Sequence, residues 1–326
     1  MNSKTAFRNT FKLLNGERPV YVPFVYGLAA RISQVPLEEM VMDASYYTGA
    51  LEEACGLLRY DGIVTGYDAT LEAEAFGAEV EWPGDYAAPK LKPDSRPGLR
   101  EVDPAASPRI PVLLEVTKRI GMSRGKDVAV IGVLTGPVFL ANLLTGGQDG
   151  AAMTAIPLAG NLLMKLVKSL GDLRVDAVFF REDIPGADYP GRLAAHQAPY
   201  TAVYNTLFNL VRHYNAFPAV ILKDIPLDDI TGLHKMIAPG GFILLGQRLD
   251  DAGLARVREF SASLKAAFGL PLPVAEPDLL TGQYDIISRF IGGHKPTGLF
   301  YVSDGEIPED TPLETLHDLA AKINRA

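Results

Sequence analysis

An aspartate, Asp68, stands where the apolar run "GIVTGY" gives way to the small-residue stretch "DATLEAEAFGAEV", and polar side chains close other apolar runs in the same manner. Tyr26 ends the first such run, Tyr67 precedes Asp68 in the second, and Thr135 ends the third; Glu182 with Asp183, Lys223 with Asp224, and Gln247 with Arg248 follow. Glu276, and then Asp304 with Glu306, complete the series. Acids gathered with a lysine and an arginine in an apolar-walled mouth would shift one another's protonation equilibria and could supply a general acid or base. Each also has a plainer use. Asp68 can cap a helix starting at Ala69, Asp183 and Asp224 can initiate turns, and Glu306 can be solvated.

Whether they meet depends on the elements that carry them. Eight short β-rich runs recur: 20–27, 62–67, 128–134, 176–181, 218–223, 241–247, 270–275 and 298–303. Stretches of helical period lie between them, including 37–58, 156–170, 195–214, 251–268, 279–291 and 312–323. This alternation is the pattern of βα units on a parallel sheet. Eight units over the whole length, with no low-complexity linker, point to one α/β domain spanning 1–326, a (β/α)8 TIM barrel, in preference to an open doubly wound sheet. Such barrels place their chemistry at the carboxyl ends of the strands, where the polar residues above fall. The stretch 81–111 holds seven prolines and no period, and reads as a long excursion after the second strand that overlies or flanks the mouth.

Composition narrows the function. A net charge of −8 without a basic block leaves little to neutralise a phosphate backbone, so nucleic acid is not an expected partner. One cysteine, Cys55, excludes an intrachain disulfide and any multi-cysteine metal site, and suits a cytoplasmic setting. The first residues lack the apolar core of a secretory signal and read as a short amphipathic helix stopped at Asn15-Gly16. The most apolar run, 128–144, is interrupted by Gly136-Pro137 and reads as strand, turn and helix, so no membrane association is expected. His196, His213, His234, His294 and His317 lack metal-pair spacing, and no glycine cluster makes a phosphate loop.

The segment "YDATLEAEAFGAEVEW" resembles the second-strand region of the uroporphyrinogen decarboxylase superfamily, which includes corrinoid-dependent methyltransferases. "LNGERPVYVPF" is similar to its opening, "GVLTGPVFLANLLTGG" to the turn after its third strand, and "DGEIPEDTPLETLHDLAAKI" to its ending. The resemblance runs over nearly the whole chain in family order and implies a TIM barrel. In the decarboxylases an aspartate nine residues before a glycine faces the pyrrole nitrogens of the tetrapyrrole; Asp68 and Gly77 keep that spacing.

Departures from the family pattern choose among its activities. The decarboxylase signature of two arginines around a glutamine, alanine and glycine is replaced by "FVYGLAARIS", with Arg31 alone, and the histidine near the last strand is replaced by Asp304. The zinc-binding histidine and cysteines of the thiol methyltransferases are replaced by Lys223, Ile225 and Gly305. What the resemblance then implies is transfer of a methyl group from a small ether or amine to a corrinoid held by a partner protein. On this expectation Asp68 and Glu182 are catalytic, while Tyr26, Tyr67, Lys223, Gln247, Arg248 and Asp304 contact substrate; no cofactor is bound tightly and no metal is held. A homodimer is expected by analogy with the decarboxylases. Alternatives are a decarboxylase-like lyase, a silent tetrapyrrole- or metabolite-binding homologue, and an aldolase using Lys223 as a Schiff-base amine.

Overall fold

The computed structural model describes residues 2–95, 97–148, 151–183, 189–294 and 296–325. Eight parallel strands form the barrel: β1 (Tyr21–Phe24), β2 (Gly62–Thr65), β5 (Ala129–Thr135), β6 (Ala177–Glu182), β7 (Phe217–Lys223), β8 (Gly241–Leu245), β9 (Ala267–Leu272) and β10 (Leu299–Glu306). The two remaining strands, β3 (Val80–Glu81) and β4 (Lys90–Leu91), pair with each other as a small antiparallel ribbon. The hydrogen-bonded order is β1-β10-β9-β8-β7-β6-β5-β2. Its two end strands are drawn together at their starts, where the Asp61 N–H donates to the Tyr21 carbonyl at 2.8 Å. The Asp61 carboxylate accepts from the Tyr21 N–H at 2.9 Å and pairs with Arg18 across the same seam.

Alternation along the strands sorts side chains between the barrel interior and the helices outside. Phe11, at the end of α1 (Ser3–Phe11), closes the floor: its ring centre lies 6.1 Å from Phe179, 5.1 Å from Phe217 and 5.5 Å from Phe300. A side chain at Gly241 would press on the Phe11 ring. Counting by twos from this floor puts Arg181 (from Phe179), Lys223 (from Phe217), and Asp304 and Glu306 (from Phe300) on the inward face near the mouth. Phe180 points the other way, onto Phe208 of α10 (Gln197–His213), with ring centres 5.6 Å apart.

The strand expected at 270–275 occupies 267–272 instead. Gly269 lies against Ile243, Phe300 and Val302, which leaves little space for any larger residue, and Pro271 pairs in register with Val302. The helix expected over 37–58 is broken into α3 (Leu37–Met42) and α4 (Ala44–Leu58), because Asp43 turns extended and caps α4 through the N–H groups of Ser45 and Tyr46. The 195–214 helix likewise divides, into α9 (Tyr189–Ala195) and α10. The 251–268 helix stops earlier, as α12 (Asp251–Leu264). The other helices used below are α2 (Gly27–Ser33), α5 (Leu71–Ala75), α6 (Ile110–Ser123), α7 (Pro137–Thr145) and α8 (Ala152–Asp172). No helix among the described residues is long and apolar enough to cross a membrane.

Candidate active site

Between α5 and α6 the chain runs over the carboxyl ends of β1 and β2. The Asp85 carbonyl accepts the Leu37 N–H at 2.6 Å, and the Tyr86 carbonyl passes so close to Gly27 that no Cβ fits there. Arg109, at the end of this passage, is 2% exposed and answers the question set by Asp68. Its guanidinium pairs with Asp68 Oδ2, donates to Thr70 Oγ1 at 2.9 Å, and bonds Glu74 at 2.7 Å through Nε. The Trp82 ring stacks 5.3 Å away. Asp68 Oδ2 also accepts from the Tyr26 hydroxyl at 2.9 Å, while Oδ1 takes the N–H and hydroxyl of Thr70 at 2.8 and 2.7 Å. The helix after Asp68 starts at Leu71 and not at Ala69.

The two glutamates of "LEAEA" therefore have separate tasks. Glu74 holds Arg109, and Glu72 is fully buried, accepting from the Thr135 N–H at 3.0 Å and hydroxyl at 2.6 Å at the end of β5. Burial pushes the Glu72 pKa up to about 7, against the lowering effect of the bonds from Thr135.

Glu182 sits on the helix side of β6. It is 1% exposed, and its oxygens accept the N–H groups of Val138 (3.1 Å) and Phe139 (2.7 Å) at the start of α7, together with the Tyr204 hydroxyl. Tyr204 is itself 2.9 Å from the Tyr189 hydroxyl. A carboxylate at a helix N-terminus satisfies orphan backbone donors, yet burial dominates and raises the Glu182 pKa to about 8.

Inside the mouth the arrangement is different. Tyr67 stacks on Phe24 with ring centres 4.5 Å apart, and the Arg181 guanidinium lies 4.5 Å above the Tyr67 ring. Arg181 donates to Asp183 Oδ2 at 2.8 Å, and its Nε is buried with no hydrogen-bond partner. Glu306, a strand-end acid for which the sequence leaves both a mouth position and a solvated one open, is largely enclosed. Its Oε1 accepts the Gly27 N–H at 2.8 Å, and burial lifts its pKa to about 7, opposed by that bond and by the charge of Arg181.

Asp304 accepts the Gly246 N–H at 2.6 Å and pairs with Arg248 at 2.5 Å, which also bonds Glu276 at 2.6 Å. Gln247 donates to the Ile225 carbonyl at 3.0 Å. Lys223 is exposed on the inward row of β7 and pairs with no described residue. The strand ends thus bring Tyr67, Lys223 and Asp304 to the mouth interior and Tyr26 with Asp68 to its wall, while Glu182 lies behind the wall. Arg109, Arg181 and Glu72 are functional candidates that the sequence does not single out, whereas Glu306 stands in it among the strand-end acids without an assigned role.

A cavity of about 730 Å³ opens at the opposite end of the barrel, beside Lys4, Arg8 and Asp176. Lys4 and Arg8 are both engaged with Asp176, and barrel chemistry is confined to the carboxyl ends of strands, so this floor cavity is not the candidate site. Among the described residues no three His, Cys, Asp or Glu side chains are grouped to hold a metal ion.

The sequence of residues 5–161 matches the uroporphyrinogen decarboxylase (URO-D) family. No curated protein matches the chain. A methyltransferase from Methanosarcina mazei superposes with a TM-score of 0.78 at 15% identity, covering 100% of this chain and 99% of its own. A B12-independent methionine synthase from Shewanella sp. W3-18-1 gives a TM-score of 0.53 at 11% identity, covering 86% and 88%. At such identities the likeness is one of fold. The match over residues 5–161 makes the first half of the chain similar to the uroporphyrinogen decarboxylase family, and the barrel is a fold shared with the Methanosarcina mazei methyltransferase along the whole length.

Proposed function

We propose that the protein transfers a methyl group from a small methyl ether or methylamine, bound at the barrel mouth, to a corrinoid carried by a partner protein. The observation that carries this reading is the enclosed Glu306 carboxyl at the end of β10. One of its oxygens is fixed by the Gly27 N–H, and with a pKa of about 7 it keeps a protonated fraction at neutral pH. When the methyl–oxygen or methyl–nitrogen bond breaks, its electron pair stays on the heteroatom, which takes the proton from Glu306. The corrinoid, when docked, supplies the electron pair that receives the methyl group.

The other residues hold this arrangement in place. Asp68, bonded on both oxygens, orients the Tyr26 hydroxyl and Arg109 at the wall, and Tyr67 with Phe24 supplies an apolar floor under Arg181. Glu182 fixes the start of α7. Gln247, Arg248 and Asp304 form the far rim, with Lys223 beside them.

The test is a methyl-transfer assay using cob(I)alamin as surrogate acceptor, with panels of methyl ethers, methylamines and methyl thioethers, monitored by the change in corrinoid absorbance. Formation of methylcobalamin with at least one ether or amine, lost in Glu306→Gln, is expected. Absence of transfer across all three panels overturns the proposal.

The family match favours one alternative, decarboxylation of a tetrapyrrole. Against it, Arg109, Arg181 and Arg248 are each already paired with a carboxylate of the chain itself, leaving few cations for a substrate with many carboxylates. Incubation with uroporphyrinogen, with porphyrin products separated by chromatography, distinguishes the two.

A further inference from the structure

Arg181 and Lys223 are placed alike. Both lie on the inward row of adjacent strands, and Arg181 pairs in register with Ile221, two residues before Lys223. Strand spacing and rise put such a diagonal pair roughly 8 Å apart between Cα atoms, within reach of one small group for two long side chains. Arg181 is spent only in part, through its pair with Asp183, and Lys223 not at all among the described residues. The Arg181 Nε–H is buried without an acceptor although Asp183 takes another nitrogen, and Lys223 meets no described residue. A buried donor left unpaired costs more than a bond gained, so a position of this kind favours an acceptor from outside the chain.

The neighbouring acids do not fill that role. Asp304 is occupied by Arg248 and the Gly246 N–H, and Glu306 has one oxygen fixed on Gly27. The stacking of Arg181 on Tyr67 fixes the plane of its guanidinium, and a fixed fork suits a carboxylate better than a point charge does.

Building on the methyl-transfer reading, we propose that the methyl donor is a small carboxylate, whose anionic end is held between Arg181 and Lys223 while its methylated heteroatom faces Glu306. Arg181 and Lys223 are then the residues that select the substrate.

The experiment measures binding without any corrinoid, by titration calorimetry, with three matched pairs of probes. Methoxyacetate is compared with 2-methoxyethanol, N,N-dimethylglycine with 2-(dimethylamino)ethanol, and methylthioacetate with 2-(methylthio)ethanol. The expected result is that at least one carboxylate binds tenfold or more tightly than its alcohol. Lys223→Gln, an exposed position, should cut that preference about tenfold and leave binding of the alcohol unchanged. Arg181→Gln should do the same, and Arg181→Lys, which keeps charge but loses the fork, should restore only part of it. Circular dichroism confirms the fold of each variant. No carboxylate binding more tightly than its alcohol, or a preference untouched by Lys223→Gln and by both Arg181 variants, overturns the inference. Carboxylate preference without methyl transfer would sink the proposed function alone; methyl transfer without that preference would sink the substrate assignment alone.

Discussion

The space left by the missing side chain of Gly136 is filled by the carboxylate of Glu182: a Cβ at position 136 would overlap it. The same carboxylate receives the first N–H groups of α7, so the glycine, the acid and the helix start form one fitted unit. Gly136→Ala must push Glu182 off those donors and strand them in a buried place. The expected cost is about 2–4 kcal/mol, read from the urea midpoint at constant m-value.

Glu182 also ties stability to pH. Its pKa is about 8 in the folded chain and near 4.5 when unfolded, so the folded state binds this proton more tightly between those values. Stability linked to the protonated form is complete below about pH 4.5 and is lost as pH rises through about 8; Glu72 and Glu306 add the same trend up to about 7. Unfolding free energies measured at pH 5, 6, 7 and 8 should fall, by up to about 1.4 kcal/mol per pH unit for each group. Glu182→Gln should be less stable at pH 5 but flatter between pH 7 and 8. An unchanged slope would refute the assignment.

Arg109 stands under a different constraint. Removing it leaves Asp68, 7% exposed, with a buried charge and no cation. Arg109→Ala should destabilise by about 3–5 kcal/mol, and Arg109→Lys should recover only part, because a single ammonium cannot serve Asp68, Thr70 and Glu74 at once. A double-mutant cycle with Asp68→Asn, analysed by chemical denaturation, should show strong coupling between the two positions.

Glu306 carries the prediction for activity. As a general acid it must be protonated, so the rate of methyl transfer should decline above about pH 7. Glu306→Gln should lower kcat by about 10²-fold or more and abolish that alkaline decline. A profile that keeps its alkaline limb in the variant would assign the proton to another group.

Seven of the barrel strands are legible because each is an apolar, β-branched or aromatic run bounded by turn residues. The strand at 267–272 is read three residues late since "AAFG" continues the helical period of α12, and only the crowding of Gly269 by Ile243, Phe300 and Val302 shows why a small residue must stand there. Asp68 is conspicuous in the sequence because it ends such a run. Arg109 is not: it stands 41 positions beyond its partner, with six prolines and an irregular chain between them, and no period links the two. Glu306 and Glu182 read alike as strand-end acids, and alternation along each strand, anchored by contacts of Phe179 and Phe300 with Phe11, is what sends one inward and the other outward.

The join between β1 and β2 has a kinetic meaning. Every other neighbouring pair of barrel strands shares a ladder, whereas this pair rests on Asp61 and its bonds to Tyr21 and Arg18. Breathing of the cylinder should begin there, and deuterium should reach the amides of 21–24 and 62–65 sooner than those of β6 and β7, which are laddered on both sides.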